Sequence, residues 1–257
     1  MKVKWYGTAT LMLESGGTRL LVDPYARRCS RAPGVDIEEA RTADAILITH
    51  PHLDHFADVD IFSRDGESVY VSESGIELAR RNGLAAHRMV AIAAGDEVRI
   101  GAFTVRAYPA RHCRFDAATL LRLALSPRTW VRLPQCVRLL RAAARFRIDE
   151  RDVLAYAVDD GERRVLIFGS AGMDADADYP RAVDLLVFPY QGRRRMDREM
   201  IPFLRALEPR AVMLDHFDDA FPPVTHRVDT RRFLPTLAEY APDATGILPT
   251  LNEWTEI

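Results

Sequence analysis

The sequence predicts an α/β (α+β) protein in which two strand-rich halves, each closing with helices, flank one helical insertion. Three observations carry this. Short apolar or alternating runs bounded by turn residues recur before residue 110 and again after residue 152. Between them, residues 115–148 change texture to Leu, Ala and Arg at helical spacing. The continuous apolar run Ala45-Ile-Leu-Ile-Thr49 reads as a buried strand, and it ends directly on Thr49-His-Pro-His-Leu-Asp-His-Phe56.

In chain order, Lys2–Tyr6 and Thr10–Glu14 alternate or run apolar. Ser15-Gly-Gly-Thr18 is a turn into a strand at Thr18–Val22. After the Ala45–Thr49 strand, Pro51 fits neither a ladder nor a helix interior, so a loop is expected there. A strand at Val69–Ser72 precedes a helix near Gly75–Asn82, and Glu97–Tyr108 reads as a hairpin turning at Gly101. In the insertion, Leu120, Leu121, Leu123, Leu125, Val137, Leu139 and Leu140 suit helices that Pro127 and Pro134 interrupt. Strands return at Val153–Val158, Arg164–Phe168 and Val183–Phe188. A helix near Asp197–Leu207, a strand near Ala211–Leu214, a helix near Arg227–Tyr240 and a strand near Thr245–Leu251 complete the pattern.

The chain has 257 residues, 48% of them hydrophobic and 28% charged, enough to bury a core without cross-links. The formal net charge of −2 gives no reason to expect nucleic acid as a partner. Lys2 and Lys4 are the only lysines; base composition of the gene explains that better than a need for guanidinium groups. Cys29, Cys113 and Cys136 are odd in number and far apart, which disfavours a disulfide framework. The N-terminus lacks the apolar core of a signal peptide, and no run reaches the ~18 apolar residues of a membrane span. The expected location is cytoplasmic.

Three of the seven histidines, His50, His52 and His55, crowd around Asp54 within six residues. A loop at the end of a buried strand is held rigidly and faces outward. His50 and His52 are able to converge on one point, and Asp54 and His55 on a second. Imidazole and carboxylate suit Zn²⁺ first, with Mn²⁺ or Fe²⁺ as alternatives. Packing such groups without a ligand would cost desolvation for little return.

The HxHxDH pattern after an apolar strand resembles the metallo-β-lactamase fold superfamily. The nearest branch is the one similar to L-ascorbate-6-phosphate lactonase and other metal-dependent hydrolases. Trp5-Tyr-Gly-Thr8, Leu20-Leu-Val-Asp-Pro24, Asp184-Leu-Leu-Val-Phe-Pro-Tyr190, and Val212-Met-Leu-Asp-His216 followed by Pro222-Pro223 support it. The resemblance implies an αββα four-layer sandwich with a metal centre at one edge, and it extends over nearly the whole chain. It implies that His50, His52 and His112 hold one divalent metal and that Asp54, His55 and His216 hold a second. His87 and His226 are left over. The superfamily's bridging aspartate falls at Phe168-Gly-Ser-Ala-Gly172, where Ser170 replaces it. With Asp54 as the sole charged ligand, the second metal should bind more weakly or not at all; Asp174 and Asp176 are nearby substitutes. Cys113 reads as a small buried hydrophobe.

The implied chemistry is hydrolysis of an ester, lactone or phosphodiester, because a bound cation lowers the pKa of its water toward about 7. Asp54 would orient the nucleophile and move the proton, His216 would ligate metal or hydrogen-bond substrate, and Asp23 would either orient a histidine or the loop from behind or simply cap its turn. The insertion carries seven arginines, at 122, 128, 132, 138, 141, 145 and 147, against one acid, Asp116. It reads either as a packing element or as a basic, apolar lid. A lid would favour an anionic, partly hydrophobic small molecule, a lipid, or peripheral contact with a membrane. Arg193, Arg194 and Arg195 are candidates for clamping an anionic group. Self-association is compatible with the sequence. Three competitors remain: a phospholipase-D-like hydrolase of lipid, a non-catalytic metal or ligand-binding relative, and a flavodiiron-like oxidoreductase. The last would carry a glutamate in the cluster and a flavodoxin-like partner domain, and neither is present.

Overall fold

The structure, a computed structural model, describes residues 1–26, 35–114, 116–147, 149, 152–222 and 224–257. Cys29, Pro223 and the ends of the insertion, Phe115 and Ile148, lie outside them. Two seven-stranded sheets face each other. The first contains β1 (Lys2–Gly7), β2 (Thr10–Ser15), β3 (Thr18–Val22), β4 (Ala45–Leu47), β5 (Ser68–Val71) and β6 (Met89–Ala91), closed at the β1 edge by β14 (Trp254–Glu256). The second runs β7 (Glu97–Ile100), β8 (Phe103–Ala110), β9 (Val153–Asp159), β10 (Arg164–Phe168), β11 (Leu185–Pro189), β12 (Ala211–Asp215) and β13 (Thr245–Ile247). The two follow one plan. Antiparallel neighbours give way to parallel ones at β3–β4 in the first sheet and at β10–β11 in the second.

Period-two alternation assigns the faces. Val3, Trp5, Leu11, Leu13, Leu20, Val22, Ala45 and Leu47 point inward and share one core with the second sheet. Tyr6, Met12, Leu21, Ile46 and Ile48 point outward. They meet α1 (Ile37–Ala40), α3 (Val59–Phe62) and α4 (Glu73–Asn82) through Ala40, Val59, Phe62, Ile76 and Ala79. On the far side, α8 (Met196–Leu207) and α9 (Phe233–Tyr240) cover the second sheet with Met200, Phe203, Leu204, Phe233 and Leu237. Both sheets are therefore buried on two faces, which is why their central strands are continuous apolar runs.

Several sequence expectations are corrected. The insertion, α5 (Ala117–Leu125), α6 (Pro127–Val131) and α7 (Leu133–Arg145), does not separate the halves: it joins β8 to β9 inside the second sheet. These strands pair from Thr104↔Asp159 to Ala110↔Val153, so the chain leaves and re-enters at one sheet end. The residues after Pro51 are not all loop. Leu53–Phe56 form one helical turn, α2, because the His52 carbonyl accepts from the His55 and Phe56 amides. Strand β4 stops at Leu47, short of Thr49, whose N–H is taken by Asp23. The predicted Arg227–Tyr240 helix begins only at Phe233; Val228 instead donates to the Phe217 carbonyl. Strand β13 ends at Ile247, two residues before Pro249, which has no N–H to offer. The short strands β6 and β14 were not expected from the sequence.

Strands β3, β4, β8, β10, β11 and β12 all deliver their C-terminal ends to one edge of the sandwich, where the loops that follow meet. This is the edge at which open α/β sheets place their ligands. Gly169, after β10, lies against Thr49, after β4, and so joins the two sheets there. A Cβ at Gly169 would sit 1.9 Å from Thr49 Oγ1. Gly169→Ala is expected to destabilise the protein by about 1–3 kcal/mol in denaturant unfolding, through displacement of Thr49.

Candidate metal centre

Two triads of ligand atoms meet at this edge. In each of His50–His52–His112 and Asp54–His55–His216, the donor atoms all lie within 4.8 Å of one another. The triads adjoin: the His50 and His55 rings are 3.9 Å apart between centroids. His52 and His55 stand at the N-cap and third residue of α2, with Asp54 between them. His112 follows β8, and His216 follows β12. The triads draw on both sheets, so neither half could build the centre alone.

Proton placement follows from the hydrogen bonds. Asp23 Oδ1 accepts from the Thr49 amide at 2.7 Å, and Oδ2 accepts from the Thr49 hydroxyl at 2.5 Å. The Thr49 hydroxyl has then spent its proton, so its oxygen accepts from His50 Nδ1–H at 3.1 Å. His55 Nδ1–H donates to Asp23 Oδ2 at 2.7 Å, and His216 Nδ1–H donates to the Gln191 side-chain oxygen at 2.6 Å. In all three histidines Nε2 faces the centre. His50 Nε2 is buried and has no hydrogen-bond partner. Such an orphaned nitrogen beside further imidazoles and a carboxylate is what a divalent transition metal would satisfy, so these residues fit one.

The triads differ electrically. Burial and the neighbouring imidazoles hold His50 well below its ordinary value. Burial, then His112, lowers His52 to about 4, and burial followed by His55 lowers His112. This triad is neutral and ready to donate lone pairs. In the second, burial would raise the Asp54 carboxyl. The His55 charge, the His216 hydrogen bond at 3.1 Å and the His216 charge instead hold it well below the usual carboxylate range. Burial opposes a charge on His55, but Asp23 and Asp54 outweigh it and its pKa rises. Burial likewise opposes a charge on His216, yet the bond to Asp54 and the charges of Asp54, Asp215 and Asp218 lift it to about 9.

The backbone here is strained. Thr8, Asp23 and His216 adopt left-handed φ values of 53°, 47° and 57°. For the β-branched Thr8 this is a clear outlier. The Thr8 carbonyl accepts from the His216 amide, and the Thr8 amide donates to Asp218. The Trp5-Tyr-Gly-Thr8 stretch thereby fixes where His216 points.

The remaining candidates divide. Ser170 lines the cavity over the triads, and its Oγ accepts from the Cys113 amide at 2.8 Å. Asp54 is the sole carboxylate of the wall among the described residues. Asp174 is paired with Arg111 at 3.0 Å and belongs to neither triad. Cys113 is buried and also lines the cavity, and burial raises its thiol. Arg193, Arg194 and Arg195 are not on the wall. Arg193 pairs with Glu199 and Arg195 with Asp197, while the Arg194 backbone donates to Asp116. The Arg193 and Arg195 guanidinium groups are thus engaged within the chain, and the Arg194 side chain is exposed. His87 is exposed, and His226 lies 2.8 Å from Arg128 of the insertion. The sequence reading missed Gln191. Tyr190 donates to the Asp215 carbonyl, which sets the ends of β11 and β12 side by side and places Gln191 next to His216; a signal of that kind exists only in the pairing.

The cavity above the triads holds about 420 Å³. Leu139, Leu140, Ala143 and Ala144 of α7, followed by Arg147, form one wall, and Phe221 and Val224 form another. Phe146 anchors α7 by an edge contact on Phe56 of α2.

A family model for the Beta-lactamase superfamily domain matches residues 18–217. A UPF0173 protein of Pyrococcus abyssi is 33% identical over 113 residues, 44% of this chain and 50% of that protein. A UPF0173 metal-dependent hydrolase of Flavobacterium johnsoniae is 40% identical over 76 residues, 30% of this chain and 33% of that protein. The chain thus spans half or less of the length of these curated relatives. Among solved structures, Igni18, a metallo hydrolase from Ignicoccus hospitalis, superposes with a TM-score of 0.65 at 16% identity, covering 100% of this chain and 98% of that one. Together with the family match, that likeness establishes the metallo-β-lactamase fold.

Two predictions follow from the geometry. Asp23→Asn puts an amide N–H₂ where only acceptors fit, so metal affinity should drop ~10- to 100-fold in a competitive chelator titration while His50 and His52 remain. The second concerns protons. At pH 7 a free His216 of pKa about 9 is protonated and must lose that proton to ligate, whereas His50, His52 and His112 are already neutral. Metal uptake by the Asp54 triad should release protons at pH 7 and tighten as pH rises toward 9; uptake by the His50 triad should do neither. Calorimetry in buffers of different ionisation enthalpy reads this directly.

Proposed function

The chain belongs to the beta-lactamase superfamily, and from that premise we propose that it is a metal-dependent hydrolase of an ester, lactone or phosphodiester with a hydrophobic part and an anionic group. One observation carries the proposal: five imidazoles and one carboxylate converge at the floor of a cavity whose walls are mostly apolar. His50, His52 and His112 would hold one divalent cation, and Asp54, His55 and His216 a second. Zn²⁺ suits this donor set best, with Mn²⁺ or Fe²⁺ as alternatives. A bound cation supplies a water of lowered pKa and polarises the oxygen that gains charge.

The protein's own residues supply the rest. Asp54, held ionised, accepts the proton of the attacking water and keeps that water facing the substrate. His216, fixed through Gln191, bonds Asp54 through its other nitrogen and would turn that nitrogen to the substrate oxygen only by giving up the Asp54 bond. Leu139, Leu140, Ala143 and Ala144 exclude water and hold the apolar part, and Arg147 at the same wall meets the anionic group. Ser170 in place of a carboxylate leaves Asp54 as the only negative ligand, so close cations repel with little compensation and the second site is the weaker. A lipid ester or phosphodiester is the second reading, favoured by the exposed apolar residues of the insertion.

Turnover of p-nitrophenyl esters of increasing chain length, simple lactones and bis(p-nitrophenyl) phosphate tests this. Hydrolysis should vanish on chelation and return with Zn²⁺ or Mn²⁺. On the preferred class, kcat/KM should rise with chain length, by up to about 4-fold per buried methylene, and Leu139→Asp should flatten that rise. No turnover of any of them at full metal occupancy would make the protein a binding relative rather than an enzyme.

A further inference from the structure

The insertion does more than wall the cavity. At the junction of α5, α6 and α7, five large apolar side chains stand in solvent: Leu121 (59% exposed), Leu125 (70%), Trp130 (64%), Val131 (82%) and Leu133 (45%). Trp130 is held there by donating its indole N–H to the Ala124 carbonyl. Leu121 and Leu125 are one helical turn apart on α5, on the same face. Exposed apolar residues scattered singly are ordinary, but five on three consecutive short helices form a patch that water does not favour.

Exposed arginines occupy the same segment. Arg132 sits between Val131 and Leu133, and Arg138, Arg141 and Arg145 recur on one face of α7 at spacings of three and four. All four are exposed, and none is within ion-pair distance of a carboxylate among the described residues. The segment's only acid, Asp116, is occupied by the Thr119 and Arg194 amides. A surface that combines unpartnered guanidinium groups with projecting Leu, Trp and Val is complementary to a layer that is anionic outside and hydrocarbon within.

We propose that α5–α7 is a docking surface for an anionic phospholipid bilayer, with Leu125, Trp130 and Val131 entering the interface and Arg132, Arg138, Arg141 and Arg145 contacting headgroups. The charges decide against the alternatives. A two-fold contact between copies of this segment would set the arginines against a surface that has no free acid to offset them. A nucleic acid would satisfy the arginines but leave the apolar apex wet. Among the described residues no helix is long and apolar enough to cross a membrane, so the contact is peripheral. Leu139 and Leu140 of the same α7 line the cavity, on a different face of the helix from Arg138, Arg141 and Arg145. The docking surface goes beyond the hydrolase reading and stands or falls separately from it.

The test is co-sedimentation of the metal-loaded full chain with vesicles of phosphatidylcholine alone and of phosphatidylcholine and phosphatidylglycerol in equal parts. Binding to the anionic vesicles, weakened by salt, is expected, with little binding to the neutral ones. Reversing Arg138, Arg141 and Arg145 to Glu should lower the partition coefficient by at least on the order of 100-fold. Trp130→Ser with Val131→Ser should also weaken binding and remove the blue shift of tryptophan emission that accompanies it. Trp5 is buried and does not contribute to that shift. Both variants alter exposed residues and should keep the wild-type melting temperature and metal content. Absence of binding to anionic vesicles overturns the proposal, as does binding that both variants leave intact. A dimer in sedimentation velocity that the Trp130/Val131 variant dissolves would assign the patch to a second copy. Tighter retention by duplex DNA, lost with the arginines but indifferent to the apolar pair, would assign it to nucleic acid.

Discussion

The centre depends on one buried carboxylate, Asp23, at the end of β3. It accepts from the Thr49 amide, the Thr49 hydroxyl and His55 Nδ1–H. The first bond ends strand β4 at Leu47, three residues before His50. The second fixes the direction of the Thr49 hydroxyl and, through it, the tautomer of His50. The third fixes His55. A single acceptor thus positions one histidine of each triad and leaves both Nε2 atoms facing the same space. Because Asp23 itself sits at a left-handed φ, its placement is held by the surrounding structure rather than by local preference.

The second sheet closes this arrangement from the other side. Gly169 lets β10 approach Thr49 closely, and Tyr156 donates to the Ile48 carbonyl at 2.8 Å. Leu154 donates to the Thr49 carbonyl. His216 is then fixed by Gln191 on one nitrogen and Thr8 on its backbone, so the two halves are pinned at the same few atoms that carry the candidate ligands. The shared strand plan of the two sheets explains why the site forms at one edge: both deliver the ends of their parallel strands there.

The insertion supplies what the sandwich lacks. The strand ends provide ligands and hydrogen bonds but little apolar surface, and α7 adds Leu139, Leu140, Ala143 and Ala144 over them. Phe146 packs into the outer core beside Phe56, so the same helix is tied at its end to the turn that bears Asp54 and His55. Cavity shape and ligand position are therefore coupled through one short contact.

The sequence by itself determined most of the strands, though not β6 and β14, together with the cluster of His50, His52, Asp54 and His55 and the basic, apolar character of the insertion. Those are local properties: a period of two, an apolar run meeting a proline, a spacing of donors within six residues. The resemblance added His112 and His216 by pattern. Tertiary structure decided that both reach the same point, because that depends on strand order and on pairings between residues far apart in the chain. It decided that Gln191 holds His216, that Arg193 and Arg195 turn to Glu199 and Asp197 instead of the cavity, and that the insertion leaves from within the second sheet. Only packing can settle these, since an arginine's partner or a histidine's tautomer is chosen by whichever acceptor the fold brings within about 3 Å.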